Sequence, residues 1–313
     1  MIPGLSNYPQ GFGNGVTIRG LPVLNTHGGS VFWVDSATGG DGNRGTFDRP
    51  FSTLDYAIGR CTANHGDIIM LKENHAETIT GASGITGDIA GITIIGLGTY
   101  NQRPRFLMDG GTSVSFVISA ADTTVQNCVF ASGHSNVVTC FDITAKGATL
   151  LGLEFENNTT NEDFLTPIKV TSTTSNAGDG LKVVGCRWLT TDVDDLEFIE
   201  INGDLRGLVV HQNFICTSGT ASPLILSAGT KDLTAARITE NILQSAGTAN
   251  DLMIDNGGSG NTGIVAYNLC GNLDVTGAQV FGVATGLQFF QNFMTSTSTE
   301  SGGLQLTADT PNS

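Results

Sequence analysis

The sequence predicts an all-β solenoid, and three observations predict it. One apolar phrase keeps returning between Ile92 and Met294: ITIIGLGT, TVQNCVFAS, LLGLEFENN, LKVVGCRWL, LVVHQNFIC, ARITENILQ, IVAYNLCGN and LQFFQNFMT. Each phrase carries a small pivot, in order Gly96, Asn127, Gly152, Gly185, Asn213, Asn241, Asn268 and Asn292, at intervals of 24 to 33 residues. A period of that length, built from short β-type runs, marks coils that bury their apolar faces only by stacking on one another. The third observation is compositional. Only 14% of the 313 residues are charged, against 39% hydrophobic and 42 glycines, so the surface is mostly Thr, Ser, Asn and Gly. Such neutral side chains can form ladders along stacked strands without like-charge repulsion.

Residues 1–30 read as an extended attachment arm. Their prolines and glycines exclude a long helix, yet Tyr8, Phe12, Val16, Ile18, Leu21, Val23 and Leu24 are too apolar for a free linker and need a surface to lie on. A β-helix domain is expected over 31–298. It opens with a strand at Val31–Val34 and a turn-rich stretch, Asp35–Asp48. A helix near 52–61 comes next, started by Ser52 as N-cap with Asp55 three residues on. Leu54, Ala57, Ile58 and Cys61 share one face of it, which suits a lid over the first coil. Strands at 67–71 and 75–79 lead into the coils, each with room for about three short strands. Asn and Gly both tolerate left-handed backbone, and an inward Asn can bond to the next coil's Asn, so the pivots read as a structural ladder. Residues 299–313 are a C-terminal tail or a last edge strand, with Leu304 and Leu306 alternating.

The balance of 14 basic and 29 acidic residues, formally −15, argues against nucleic acid as a partner, because that affinity needs clustered Lys and Arg. No apolar run is long enough to span a membrane, and the first residues have no basic and apolar leader. The six cysteines form no CxxC pair and sit in apolar phrases, as reduced, buried thiols would in a cytoplasmic product. No two histidines have metal-ligand spacing, so neither a metal nor another cofactor is expected.

The main acidic concentration is TTDVDDLEFIEI, with Asp192, Asp194, Asp195, Glu197 and Glu200. It reads either as a hard-cation or acid/base site or as a solvated turn. In the second reading a strand comes after the turn, with Leu196, Phe198 and Ile199 mostly in the core and Glu197 and Glu200 facing outward. Glu154 and Glu156 alternate as one solvated face would, and Asp179 and Asp204 are near enough in the coil to approach the turn. His75 and Glu77 are close enough for proton transfer but read as surface polarity. Trp33 and Trp188 fall in strand phrases and are expected in the core, with Tyr100 exposed.

The segment FWVDSATGGDGNRGTFDRPFSTLDYAIGRCTANHGDIIMLKENHAET, Phe32 to Thr78, resembles the opening of the right-handed parallel β-helices of the pectin-lyase-like superfamily, and the resemblance extends over about 31–295. It implies that fold with an N-terminal capping helix. Lyases of the superfamily use clustered Asp for calcium with an Arg or Lys base, and polygalacturonases add Gly-His-Gly and Arg-x-Lys; neither of those two elements occurs here. The arm, SNYPQGFGNGVTIRGLPVLNTHGG, is similar to the N-terminal segment of tailed-bacteriophage β-helix proteins. That resemblance implies a non-enzymatic virion structural protein, a homotrimeric capsid decoration or head fibre. It would reach the virion surface after synthesis in the host cytoplasm. Residues 1–30 would anchor it to the major capsid protein or another virion protein, with a host surface glycan as a further partner. The alternatives are a tailspike-like polysaccharide depolymerase or lyase, with Asp192, Asp194 and Asp195 as its catalytic residues, and a non-catalytic glycan- or receptor-binding adhesin.

Overall fold

A computed structural model of the chain describes residues 16–18, 21–23, 28–157, 162–171, 177–190, 196–217, 224–227, 231–245, 251–272, 280–296 and 303–305. The short apolar runs do form strands, and the strands stack in parallel from coil to coil. Three long sheets result. The first holds ten strands, from Val31–Val34 to Leu287–Phe290. The second starts at Ala76–Ile79 and runs parallel to Asn292–Ser296, where Gly303–Gln305 closes it as an antiparallel edge. The third holds eight, from Ile85–Gly87 to Val280–Ala284. In the arm, Val16–Ile18 pairs antiparallel with Leu21–Val23; Tyr8, Phe12 and Leu24 lie outside the described residues.

The register keeps like above like. In the second sheet Phe106, Phe130, Phe155 and Trp188 occupy one inward column, with the Phe106 and Phe130 rings stacked at 5.2 Å. In the third sheet Phe116 lies under Phe141 at 5.1 Å. Ile69, Ile94, Val125, Leu150, Val183 and Val210 form the matching column of the first. All of these side chains are fully buried, and each removes roughly 1.5–3 kcal/mol worth of apolar surface from water. All six cysteines are free, and all but the half-buried Cys216 belong to the same interior; burial pushes the Cys128 thiol up to about 12.

The pivots fall into two adjacent columns. Asn127, Gly152 and Gly185 sit at a corner in left-handed backbone (φ 57°, 57° and 63°), and Gln212, Glu240, Tyr267 and Gln291 continue that corner in later coils. Asn213, Asn241, Asn268 and Asn292 come one residue later and are buried. Their amides form a chain. Asn241 Nδ2 donates to Asn268 Oδ1 (2.9 Å) and to the Val210 carbonyl (3.0 Å). Its Oδ1 accepts from Asn213 Nδ2 (2.9 Å) and Asn213 N–H (3.0 Å). Every donor and acceptor of the amide is thereby used. In earlier coils Cys128, Leu153 and Cys186 hold the inward position, and the amide chain ends where Asn213 Oδ1 accepts the Cys186 N–H (2.8 Å).

The helix is shorter than the sequence implies, Leu54–Ile58, and its N-cap is Thr53 rather than Ser52. The reason is competition for side chains. The Ser52 hydroxyl donates to Asp41 Oδ1 (2.7 Å), and Asp55 accepts the Thr86 N–H (2.9 Å), so neither is left to form a capping box. Leu54, Ala57 and Ile58 are buried on the coil. Trp33 is only partly buried, edge-on to Phe47 at 4.9 Å, whereas Trp188 is fully buried.

Replacing Asn241 by Ala removes the buried acceptor shared by the Asn213 N–H and Asn213 Nδ2, at about 1–3 kcal/mol for each donor left unpaired. Denaturant unfolding of Asn241→Ala is therefore expected to show a loss of about 3 kcal/mol or more. A loss below about 1 kcal/mol would mean that the amide chain carries little of the stability.

Candidate acid/base site on the third sheet

Sequence reasoning pointed to the acidic stretch 192–200. Asp192, Asp194 and Asp195 lie outside the described residues, so the described part of the site begins at Leu196. Phe198 and Ile199 are in the core, but Leu196 is 42% exposed and Glu197 only 3%. This reverses the expected facing of both residues. The strand Phe164–Val170 sets the geometry: Ile168, Lys169 and Val170 register with Ile199, Glu200 and Ile201, which brings Thr166 opposite Glu197. The Thr166 hydroxyl donates to Glu197 Oε1 (3.0 Å).

One outward column of three residues stacks beside it. Asp142 registers with Lys169, and Lys169 with Glu200. Lys169 Nζ pairs with Glu200 Oε2 at 2.5 Å, with side chains 21% and 17% exposed, and Asn202 Nδ2 donates to Glu200 Oε1 (3.0 Å). Asp142 Oδ1 is buried with no hydrogen-bond partner. The result is a basic group flanked by carboxylates, with a further carboxyl set behind them.

Burial is the main reason that the Glu197 carboxyl is pushed up to about 7. The Thr166 hydrogen bond opposes the shift, the Glu200 carboxylate adds to it and Lys169 opposes it. Glu197 is thus close to half protonated at neutral pH. A carboxyl that keeps its proton beside one that is ion-paired is the division on which acid/base chemistry depends.

Other singled-out residues have structural roles. Asp179 Oδ1 accepts the Arg206 N–H (2.7 Å) and Asp204 Oδ1 the Asp232 N–H (3.1 Å), so both are engaged with backbone at a coil corner. Glu154 pairs with Arg103 and Arg187, and Glu156 with Arg105. His75 is fully buried, not surface polarity. Its Nδ1 accepts the Ser36 N–H (2.9 Å), so Nε2 carries the proton and donates to Glu77 Oε1 (2.9 Å). Both ring nitrogens are occupied, which makes the histidine a brace. Among the described residues no group of three or more His, Cys, Asp and Glu side chains is placed to hold a metal ion.

No family model matches the chain, and no curated protein does. Among solved structures it is similar in fold to a GH136 lacto-N-biosidase from Eubacterium ramulus, with a TM-score of 0.51 and 15% identity over 85% of this chain and 60% of that one. It is also similar to a rhamnogalacturonan lyase, with a TM-score of 0.49 and 13% identity over 84% and 87%. The chain thus spans about 60% of the length of the biosidase. At such identities the likeness speaks for the fold alone, a parallel β-solenoid. It also corrects the expectation of a non-enzymatic protein. The lacto-N-biosidase is an enzyme built on this architecture, so the fold gives no ground for reading the chain as inert.

Glu197 binds a proton in the folded chain that the unfolded chain releases near 4.5. Because the folded pKa is the higher one, stability falls as pH rises from about 5 to 8, by on the order of 3 kcal/mol. Unfolding midpoints across that range should show the decline, and Glu197→Gln should remove most of it. An unchanged pH dependence in the variant would refute the assignment.

Proposed function

We infer that this protein is a carbohydrate-active enzyme whose chemistry is proton transfer at a glycosidic linkage, carried out on the outer face of the third sheet. The single observation that carries the reading is the pair Glu197 and Glu200: one carboxyl buried and close to half protonated at neutral pH, the other held by Lys169 and Asn202. In glycoside hydrolysis one carboxylic acid gives a proton to the departing oxygen while a second carboxylate assists on the sugar. Glu197 is assigned the acid and Glu200 the carboxylate. Lys169 holds Glu200 in place, and Asp142 extends the polar face by one coil. Asp192, Asp194 and Asp195 stand a few residues before Glu197 in sequence and are included in the proposal on that ground alone.

Net charge bears on the substrate. A chain at −15 repels polyanions at long range, so hydrolysis of a neutral glycan fits better than elimination from a polyuronate. The arm keeps its proposed role of attachment to a virion protein, with the enzyme displayed at the virion surface.

A panel of neutral and acidic polysaccharides, assayed for new reducing ends and for unsaturated products, tests this. Turnover of a neutral member is expected, falling about 10²–10⁴-fold in Glu197→Gln and in Glu200→Gln while both variants keep the wild-type circular dichroism spectrum. No turnover anywhere on the panel, or unchanged turnover in the variants, would sink the assignment.

The expected homotrimer is supported by an apolar stripe on the second sheet. Phe214, Ile242, Leu269 and Phe293 register coil upon coil and are 38–49% exposed. A contiguous outward stripe of this kind is uncommon on a monomer. Sedimentation at micromolar concentration should give a trimer that Ile242→Lys dissociates; a wild-type monomer would count against it.

A further inference from the structure

A second polar site lies at the opposite end of the molecule from the amide chain, where the helix meets the first coils. A groove of about 540 Å³ opens there, with Ser36, Asp55, Ala76, Glu77, Thr78 and Thr80 among its walls. Its volume is within the range of small-molecule sites. The key wall residue is Glu77, whose side chain is 8% exposed. Burying a carboxylate is costly unless it is well bonded, and here the bonding is one-sided. Glu77 Oε1 takes both the Leu54 N–H at the start of the helix (2.5 Å) and His75 Nε2–H (2.9 Å). Oε2 has no hydrogen-bond partner among the described residues and is the acceptor left at the groove wall. Asp55 repeats the pattern, with Oδ1 taking the Thr86 N–H (2.9 Å) and Oδ2 left over.

Donors face these acceptors. Ser36 Oγ accepts the Ala76 N–H (2.9 Å), which leaves its own proton to donate, and Thr78 and Thr80, both exposed, supply two more hydroxyls. No Lys or Arg lines the groove. We propose that this groove binds a neutral polyhydroxylated ligand, a sugar ring or the end of a glycan, through Glu77, Asp55 and the three hydroxyls. Each ligand hydroxyl is both donor and acceptor, so it satisfies both kinds of wall group, and its hydrogen bonds to carboxylate are the strong, charge-assisted kind. A cation would use the two carboxylates and leave the protein hydroxyls without acceptors. An anion would face two carboxylates and no base. The proposal does not rest on the hydrolase reading: the groove contains none of the residues assigned to it.

Ala76 is exposed and points outward from the second sheet, so Ala76→Trp fills the groove without touching the core, and Thr78→Phe fills it from the neighbouring position. Ligand-observed NMR and calorimetry would use glucose, galactose, rhamnose and N-acetylglucosamine, with galacturonate and putrescine as charged probes. At least one neutral sugar is expected to bind with a Kd of about 0.1–10 mM. Its affinity should fall at least tenfold in both filled variants, with their unfolding midpoints and any glycan turnover unchanged. Absence of neutral-sugar binding overturns the proposal, as does binding that both variants retain, or displacement of the sugar by galacturonate or putrescine. Loss of groove binding with turnover intact separates this proposal from the hydrolase reading, and loss of turnover in Glu197→Gln with groove binding intact separates them in the other direction.

Discussion

Register between coils is the constraint on which the rest of the molecule depends. Side chains on a strand alternate between faces, so a slip of one residue in any coil would turn its whole apolar set outward. The phenylalanine columns and the amide chain penalise such a slip in different ways. Phe106, Phe130 and Phe155 would lose burial; Asn213, Asn241 and Asn268 would lose hydrogen bonds that no water replaces in the interior. Burial is the stronger force but weakly directional, whereas the amide chain accepts only one alignment. That division accounts for its place in the later coils. There the columns pass from Phe and Trp to Ile215, Leu243 and Cys270, which pack with less shape specificity.

The same register builds the candidate site. Once Ile168 lies over Phe141 and under Ile199, Lys169 must lie between Asp142 and Glu200. The scaffold therefore supplies placement without any loop having to do so, and the inward column secures it. Burying Glu197 works against stability above pH 5. A solenoid with so many fully buried apolar side chains can carry one such destabilising group, and under the proposed function a carboxyl close to half protonated at neutral pH is what it gains.

The fold was legible in the sequence because it is periodic, and periodicity survives without an alignment. What the period could not convey was offset. Asn127 and Asn213 look equivalent in their phrases, yet one is a left-handed corner and the other an inward amide one position on; Asn satisfies both geometries, so residue identity hid the shift. Glu197 was misjudged for a related reason. Phe198 and Ile199 are buried as expected, but the strand proper begins only at Ile199, and ahead of it Leu196 turns out while Glu197 turns in to meet Thr166. His75 was read as surface because its neighbours, Ser36 and Phe106, are far away in sequence and meet it only once the first coils close. Local spacing carries information about the strand, but not about what a neighbouring coil sets against it.

That distinction also explains why the inert reading failed. It rested, beside the likeness of the arm, on missing family motifs, Gly-His-Gly and Arg-x-Lys, which are local patterns. In a stacked-coil protein an acid/base constellation need not be local at all. Thr166 and Glu197 are 31 residues apart, and Asp142, Lys169 and Glu200 come from three coils. Along the chain there are five acidic residues and one distant lysine; across the sheet there are one buried carboxyl, one ion-paired carboxylate and a lysine between carboxylates. Function on such a scaffold is written perpendicular to the chain, in columns. The absence of a motif along the chain therefore says little about whether a column can do chemistry.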